Sequence, residues 1–209
     1  VRQELTRTFL IQLRFLGKEH ACTMKPHLRM LDIFVPQDTV CMAHERGAET
    51  LFNVIPPAIA PDFFEDYGLT VSQEQAQSIT WEIVLLSTYW IKRAIQVGIP
   101  EQAGKEIWEH VQTQVRERWE SRFGFVHRPI EQFFLDIETK HRAWDHMGNQ
   151  GGEPIAILTQ VAGTLESEGT IPRGEEHKLL VLLLDLVPME EIGQAAAEIE
   201  EGFSPDNLP

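Results

Sequence analysis

The pattern of apolar and polar residues predicts a helical protein, and its strongest signal lies at residues 72–97. This segment contains neither proline nor glycine, and its apolar residues recur at helical spacing in two stripes about 120° apart. The stripes are Ile79, Ile83, Leu86, Trp90, Ala94 and Val97, and Val84, Ile91 and Ile95. A helix that is apolar on two sides is normally covered by neighbours on both. We therefore predict that 72–97 is the central helix, with Ile83, Leu86 and Trp90 nearly inaccessible.

The remaining segments extend this pattern on either side of the central helix. Gly98 and Pro100 predict that one helix ends and the next begins there. Before residue 70 the prolines and glycines are so dense that only short helices fit between them, at about 24–33 and 43–53, after an N-terminal helix ended by Gly17. Further helices are predicted over 100–122, 128–147, from Pro154, over a buried "HKLLVLLLDLV", and after Pro188.

These elements predict an all-α fold: a multi-helix bundle of six to seven main helices with an irregular, Pro-rich N-terminal third packed on it. The length of 209 residues suits a single helical domain, 1–209. Within that domain we distinguish three parts: an irregular N-terminal region over 1–70, core helices over 71–147 and acidic C-terminal helices over 148–209.

The charge of the chain limits its partners. The net charge is −14, which argues against nucleic-acid binding because a phosphate backbone would be repelled. From Thr164 onward there are eleven Asp and Glu residues and two Lys and Arg residues, a net charge of −9. This asymmetry indicates either a solvated acidic surface or a face for a basic protein partner.

Two cysteines do not make a disulfide framework, so we expect reduced thiols and a cytoplasmic protein. No apolar run approaches the ~18–20 residues needed to cross a bilayer, and we expect no membrane partner. The chain begins at Val1 without a signal-like segment, which suggests a trimmed or partial sequence.

The stretch "DIETKHRAWDHMG", residues 136–148, carries the most suggestive chemistry. Helical spacing brings Glu138, His141 and Asp145 to neighbouring turns, with His141 facing the core. An inward-facing Glu-x-x-His is the metal-binding unit of some helical bundles, and Glu82 is an acid within the central helix that could join it. These four residues are a candidate iron or manganese site. No second Glu-x-x-His faces them, so a structural pair between His141 and an acid is the alternative we favour.

Glu82 must be paired in either case, because a buried carboxylate is costly alone. We expect its partner to be His141, Arg93 or Tyr89.

A second candidate site lies in the Pro-rich region. Cys22 is flanked by histidines, and Cys41 and His44 form a Cys-x-x-His pair, so that Cys22, Cys41 and His44 could bind zinc. Buried reduced cysteines are the more common situation, and nothing local marks either thiol as an activated nucleophile.

Two functions follow from these observations. The first is a non-catalytic cytoplasmic interaction or regulatory protein whose acidic C-terminal surface binds a partner. The alternative is a metal-dependent or small-ligand-binding helical-bundle enzyme built on the carboxylate and histidine cluster. Trp81 bears on both, because it points away from the main apolar stripe. We expect it either to mark a partner surface or to be covered by the N-terminal region.

Overall fold

The computed structural model describes residues 37–149 and 154–202, with side chains from residue 43 onward. By its contacts the chain divides into two compact units, 1–43 and 44–209, and every contact reported below lies within the second. The predicted helices at 1–17 and 24–33, and the predicted packing of the N-terminal third, lie outside the described residues. A single domain over 1–209 stays a prediction.

The described residues are almost entirely helical and contain no strand, which confirms the all-α prediction. Besides one 3-10 helix, η1 (Pro61–Tyr67), they form eight α-helices. These are α1 (Gln37–Val54), α2 (Gln73–Gly98), α3 (Glu101–Glu117), α4 (Trp119–Phe123), α5 (Ile130–Asn149), α6 (Pro154–Ser167), α7 (Glu176–Leu186) and α8 (Met189–Gly202). None of these helices is both long and apolar enough to cross a membrane.

Helix α2 is the centre of the structure, as its two apolar stripes predict. It contacts η1, α3, α5 and α8, so both stripes are covered along much of the helix. Ser72 and Gln75 cap it reciprocally, each accepting a hydrogen bond from the other's main-chain N–H. Ile83 and Leu86 are fully buried, but Trp90 is only partly covered, so its predicted inaccessibility was wrong. The first stripe emerges from the core beyond Leu86, and Val97 near its end is exposed.

The acidic C-terminal segment contains two helices, α7 and α8, which pack on other helices of the structure. Helix α8 packs its small residues Ala195 and Ala196 on α2, which allows the two backbones to approach closely. Helix α7 packs on α6 and η1 and buries Leu179, Leu182 and Leu183. Val181 and Leu184 on its opposite side are exposed, so the predicted buried helix belongs to the core on one side only.

Candidate functional site

The seam between α2 and α5 carries most of the chemistry of the described residues. The two helices run parallel, because contacts along α2 from Trp81 to Arg93 meet α5 residues in the same order, from Phe133 to Asp145. The seam begins with aromatic rings and continues through an ion pair, a histidine and a second ion pair. Two of the predicted site residues lie at the middle of the seam: Glu82 on α2 and His141 on α5.

Glu82 is buried, with 9% of its surface exposed, and forms an ion pair with Lys140 of α5. The prediction that it must be paired is confirmed, but the three expected partners, His141, Arg93 and Tyr89, were wrong. Burial raises the pKa of the Glu82 carboxyl, and the ammonium of Lys140 opposes that shift. Lys140 is partly exposed on α5, and its flexible side chain reaches inward so that the ammonium group contacts the Glu82 carboxylate.

A cleft of about 460 Å³ opens above this ion pair. Four elements supply its walls: α2, the loop before α5, α5 itself, and the end of α6 with the turn that follows. Its lining consists of Ser78, Trp81, Glu82, Arg128, Pro129, Gln132, Asp136, Lys140, Leu165, Glu168 and Thr170. Its volume falls within the range of ~300–1,000 Å³ that is usual for small-molecule sites.

The indole of Trp81 organises one wall of the cleft. Its Nε1–H donates to Asp136 Oδ2 at 3.1 Å, and the guanidinium of Arg128 lies over its ring at 5.3 Å. Arg128 also donates to the hydroxyl of Ser78 at 2.7 Å, and Gln132 donates to Asp136 Oδ1 at 2.8 Å. These contacts hold a cation over the face of one aromatic ring and a carboxylate at its edge.

The aromatic neighbours of Trp81 explain why it is buried although it lies off the main stripe. Three aromatic rings meet it edge to face with centroids 5.4–5.5 Å away, those of Trp119, Phe125 and Phe133. These neighbours belong to α4, to the loop that follows it and to α5. Trp81 is buried, so the expectation of an exposed partner surface was wrong, and the expected cover from the N-terminal region lies outside the described residues.

The loop before α5 is shaped so that Arg128 reaches the cleft. Gly124 ends α4 with a φ of 71°, a left-handed conformation that favours glycine. Phe125 then turns into the core, and the indole N–H of Trp119 donates to the main-chain carbonyl of Arg128 at 2.8 Å. Pro129 follows and α5 begins at the next residue. The loop is therefore anchored on both sides of the arginine.

His141 is buried as predicted, with 2% of its surface exposed, but it does not bind an acid. Its Nε2 lies 3.3 Å from the main-chain carbonyl of Leu85, which can only accept, so the proton is on Nε2. Its ring stacks on Trp144 and meets Tyr89 edge-on. No described residue bonds to Nδ1. Burial lowers the pKa of His141 to about 3, so the imidazole is neutral at physiological pH.

The other predicted ligands lie apart from His141. Asp145 is 3.5 Å from Arg93 and interacts with the hydroxyl of Tyr89, whose pKa is raised to about 12, first by burial and then by that carboxylate. Glu138 is exposed on the outer side of α5. Within 37–149 and 154–202 no three His, Cys, Asp or Glu side chains lie close enough together to share a metal ion. The iron or manganese hypothesis gains no support from this geometry.

The zinc hypothesis falls mostly outside the described part of the chain. Cys22 is not described, and neither is the side chain of Cys41. His44 is described and buried, and its Nδ1 lies 2.6 Å from Glu106 Oε2. Zinc binding by these residues stays a prediction.

Four charged residues of the cleft were missed from the sequence: Lys140, Arg128, Asp136 and Glu168. The segment "DIETKHRAWD" contains two of them, but the spacing drew attention to its histidine and to its other acids. Glu82 was the signal in the sequence that could have found Lys140. A buried carboxylate needs a cation, and that cation can come from another helix as well as from its own.

Comparisons of the chain with protein-family models, with curated proteins and with solved structures find no match.

Proposed function

We propose that residues 44–209 form a helical binding domain for a small polar molecule, which occupies the cleft above Glu82 and Lys140. The observation that carries the proposal is the placement of this buried ion pair at the base of an open cleft lined by further charged groups. Ligand sites commonly combine a concave apolar wall with a few convergent polar groups. Trp81 and Leu165 supply apolar surface here.

The energetics of buried charge support this proposal. Removing two charges from water costs about as much as their attraction returns, so a buried ion pair adds little net stability compared with apolar residues of the same volume. Stabilisation of the contact between α2 and α5 is therefore a poor explanation for the ion pair of Glu82 and Lys140. A ligand that hydrogen-bonds to the free donors of the ammonium or to the carboxylate gives the pair a role that packing alone does not.

The cleft offers binding groups and one group suited to proton exchange. Burial raises the pKa of the Glu82 carboxyl toward neutral pH. Many general acids and bases have pKa values shifted in this way. The same shift arises in ion pairs that do no chemistry, so binding is the function that we propose. We retain a cytoplasmic setting on the ground of the cysteine usage.

A thermal-unfolding screen against a collection of small polar metabolites tests the proposal. Ligands of the cleft should raise the melting temperature of the wild-type chain in a concentration-dependent way. They should not do so for the double variant Glu82→Gln/Lys140→Met, which removes both charges and strands neither. Arg142→Gln, an exposed change on the outer side of α5, is the matched control. Equal shifts for the double variant and the wild type would place binding elsewhere.

A separate observation favours protein binding as a second candidate. Val181 and Leu184 of α7 are 50% and 39% exposed, and Phe63 of the adjoining η1 is exposed as well. Apolar side chains grouped on an acidic segment suit a partner with an apolar anchor and a basic rim.

Site-specific photo-crosslinking in cells tests this second function. A crosslinker at position 184 should capture one protein, and capture should be lost when Val181→Ser is added. A crosslinker at position 142, on α5, serves as the control. The same proteins captured from both positions would contradict a specific surface at α7.

A further inference from the structure

The charges that line the cleft are not all neutralised by one another, and the remainder indicates what the ligand carries. Glu82 and Lys140 compensate each other at the base. Arg128 makes no ion pair with any described carboxylate, and Asp136 makes none with any described cation. One positive group, Arg128, and two negative groups, Asp136 and Glu168, therefore line the cleft without an ion-pair partner among the described residues.

Arg128 is presented as a receptor for a carboxylate. One of its terminal nitrogens donates to Ser78, and its central carbon lies 5.3 Å from the centre of the Trp81 ring; together these contacts hold the guanidinium in place. A guanidinium has five N–H donors, so most remain for an anion. Its planar fork matches a carboxylate with two parallel hydrogen bonds.

Asp136 is presented as a receptor for an ammonium group. Its two oxygens accept from neutral donors, the indole of Trp81 at 3.1 Å and the amide of Gln132 at 2.8 Å. Each carboxylate oxygen accepts more than one hydrogen bond, so both can still bind a cation. Glu168 on the facing wall adds a second negative charge to the cleft.

We infer that the ligand of the cleft is a small zwitterionic amino-carboxylate, whose carboxylate binds Arg128 and whose ammonium group binds Asp136 across the indole of Trp81. This inference rests on the proposed binding function and names its ligand class. A simple anion would satisfy Arg128 but would be repelled by Asp136 and Glu168. A simple cation would satisfy Asp136 and Glu168 but would leave Arg128 without a counter-charge. Only a molecule with both charges is complementary to the whole wall.

Calorimetric titration with three probes of one carbon skeleton tests the inference. 4-Aminobutyrate carries both charges, n-butyrate only the negative one and n-butylamine only the positive one. Glycine and β-alanine then vary the separation of the two charges. With the wild-type chain at neutral pH and low salt, the best zwitterion should bind at least about tenfold more tightly than either singly charged probe. This comparison needs no variant, so it stands even if a substitution impairs folding.

Two variants assign the charges to their receptors. Arg128→Gln should weaken zwitterion binding about tenfold or more and leave n-butylamine binding no weaker than before. Asp136→Asn keeps an oxygen that can accept from Trp81 and should weaken zwitterion binding by a similar factor. Arg142→Gln also removes one arginine charge from the chain, but it should change neither zwitterion binding nor n-butylamine binding.

The outcomes separate this inference from the proposed function. One outcome is that n-butyrate or n-butylamine binds as tightly as the best zwitterion and that Glu82→Gln/Lys140→Met abolishes this binding. It would overturn the zwitterion inference but leave a polar ligand site in place. Other ligands that stabilise the chain through the cleft while all three zwitterions fail would do the same. A screen in which no compound depends on the cleft would overturn both.

Discussion

Replacement of His141 by phenylalanine should remove a specific part of the pH dependence of folding. The folded-state pKa of His141 is about 3, below its ordinary value of 6.5, because burial disfavours the charged ring. Between these two values the unfolded chain binds a proton that the folded chain does not. Stability is therefore lost as pH falls below the unfolded pKa.

The size of this loss follows from the two pKa values. From pH 7 to pH 5 the unfolded state gains about 2 kcal/mol from protonation of this one side chain, and the folded state gains almost nothing. Phenylalanine keeps the volume and the aromatic contacts with Tyr89 and Trp144, and it removes one hydrogen bond to Leu85. At pH 7 the change should therefore alter stability by no more than ~1 kcal/mol.

Urea unfolding of both proteins at pH 7, 6 and 5, followed by circular dichroism, measures the difference. The wild type should lose about 2 kcal/mol more than His141→Phe over this interval, at an unchanged denaturant slope. Glu82, whose raised pKa acts in the opposite sense, and the other histidines are present in both proteins and cancel in the comparison. Equal losses would refute the neutral buried imidazole. A smaller loss for the wild type would indicate a raised pKa and hence an acid partner.

Three further experiments test the packing by chemical or thermal denaturation. Leu86→Ala should cost ~2–5 kcal/mol, because the side chain is fully buried in the central helix, and a cost below 1 kcal/mol would contradict that position. Lys140→Met should cost ~3–5 kcal/mol by leaving the Glu82 carboxylate unpaired, and adding Glu82→Gln should restore most of it; a double variant no more stable than the single one would refute the pairing. Gly104→Ala should lower the melting temperature although alanine favours helices, because its Cβ would lie 2.9 Å from a methyl group of Ile95; a higher melting temperature would show that the α2–α3 contact is looser.

The sequence predicted the central helix well because its signals are local. Ser72 at the start, Gly98 at the end and two apolar stripes define α2 without any knowledge of its neighbours. The same kind of signal predicted the inward face of α5, including the burial of His141. Helix periodicity tells which side of a helix is apolar, and burial follows where a neighbour covers that side.

The cleft could not be predicted in this way, because it depends on how α5 is positioned along α2. A helical projection places Lys140 on the flank of α5, but only the packing shows that its ammonium reaches Glu82. Arg128 lies in a loop, where the periodicity has no meaning. Helix α7 shows the converse: its leucines surround the helix, and the sequence does not tell which of them the neighbouring helices leave exposed.

The central claim is that small polar molecules enter the cleft and contact Trp81, and the indole N–H resonances of the five tryptophans test it most directly. Trp81 donates to Asp136 at the wall of the cleft, whereas Trp144 is buried among Tyr89 and His141. Nitrogen-correlated spectra recorded with cocktails of small polar fragments, with Trp81→Phe for assignment, should show the Trp81 signal moving while that of Trp144 stays in place. A Trp81 signal that no cocktail moves, or one that moves only together with Trp144, would contradict a ligand-binding cleft at this position.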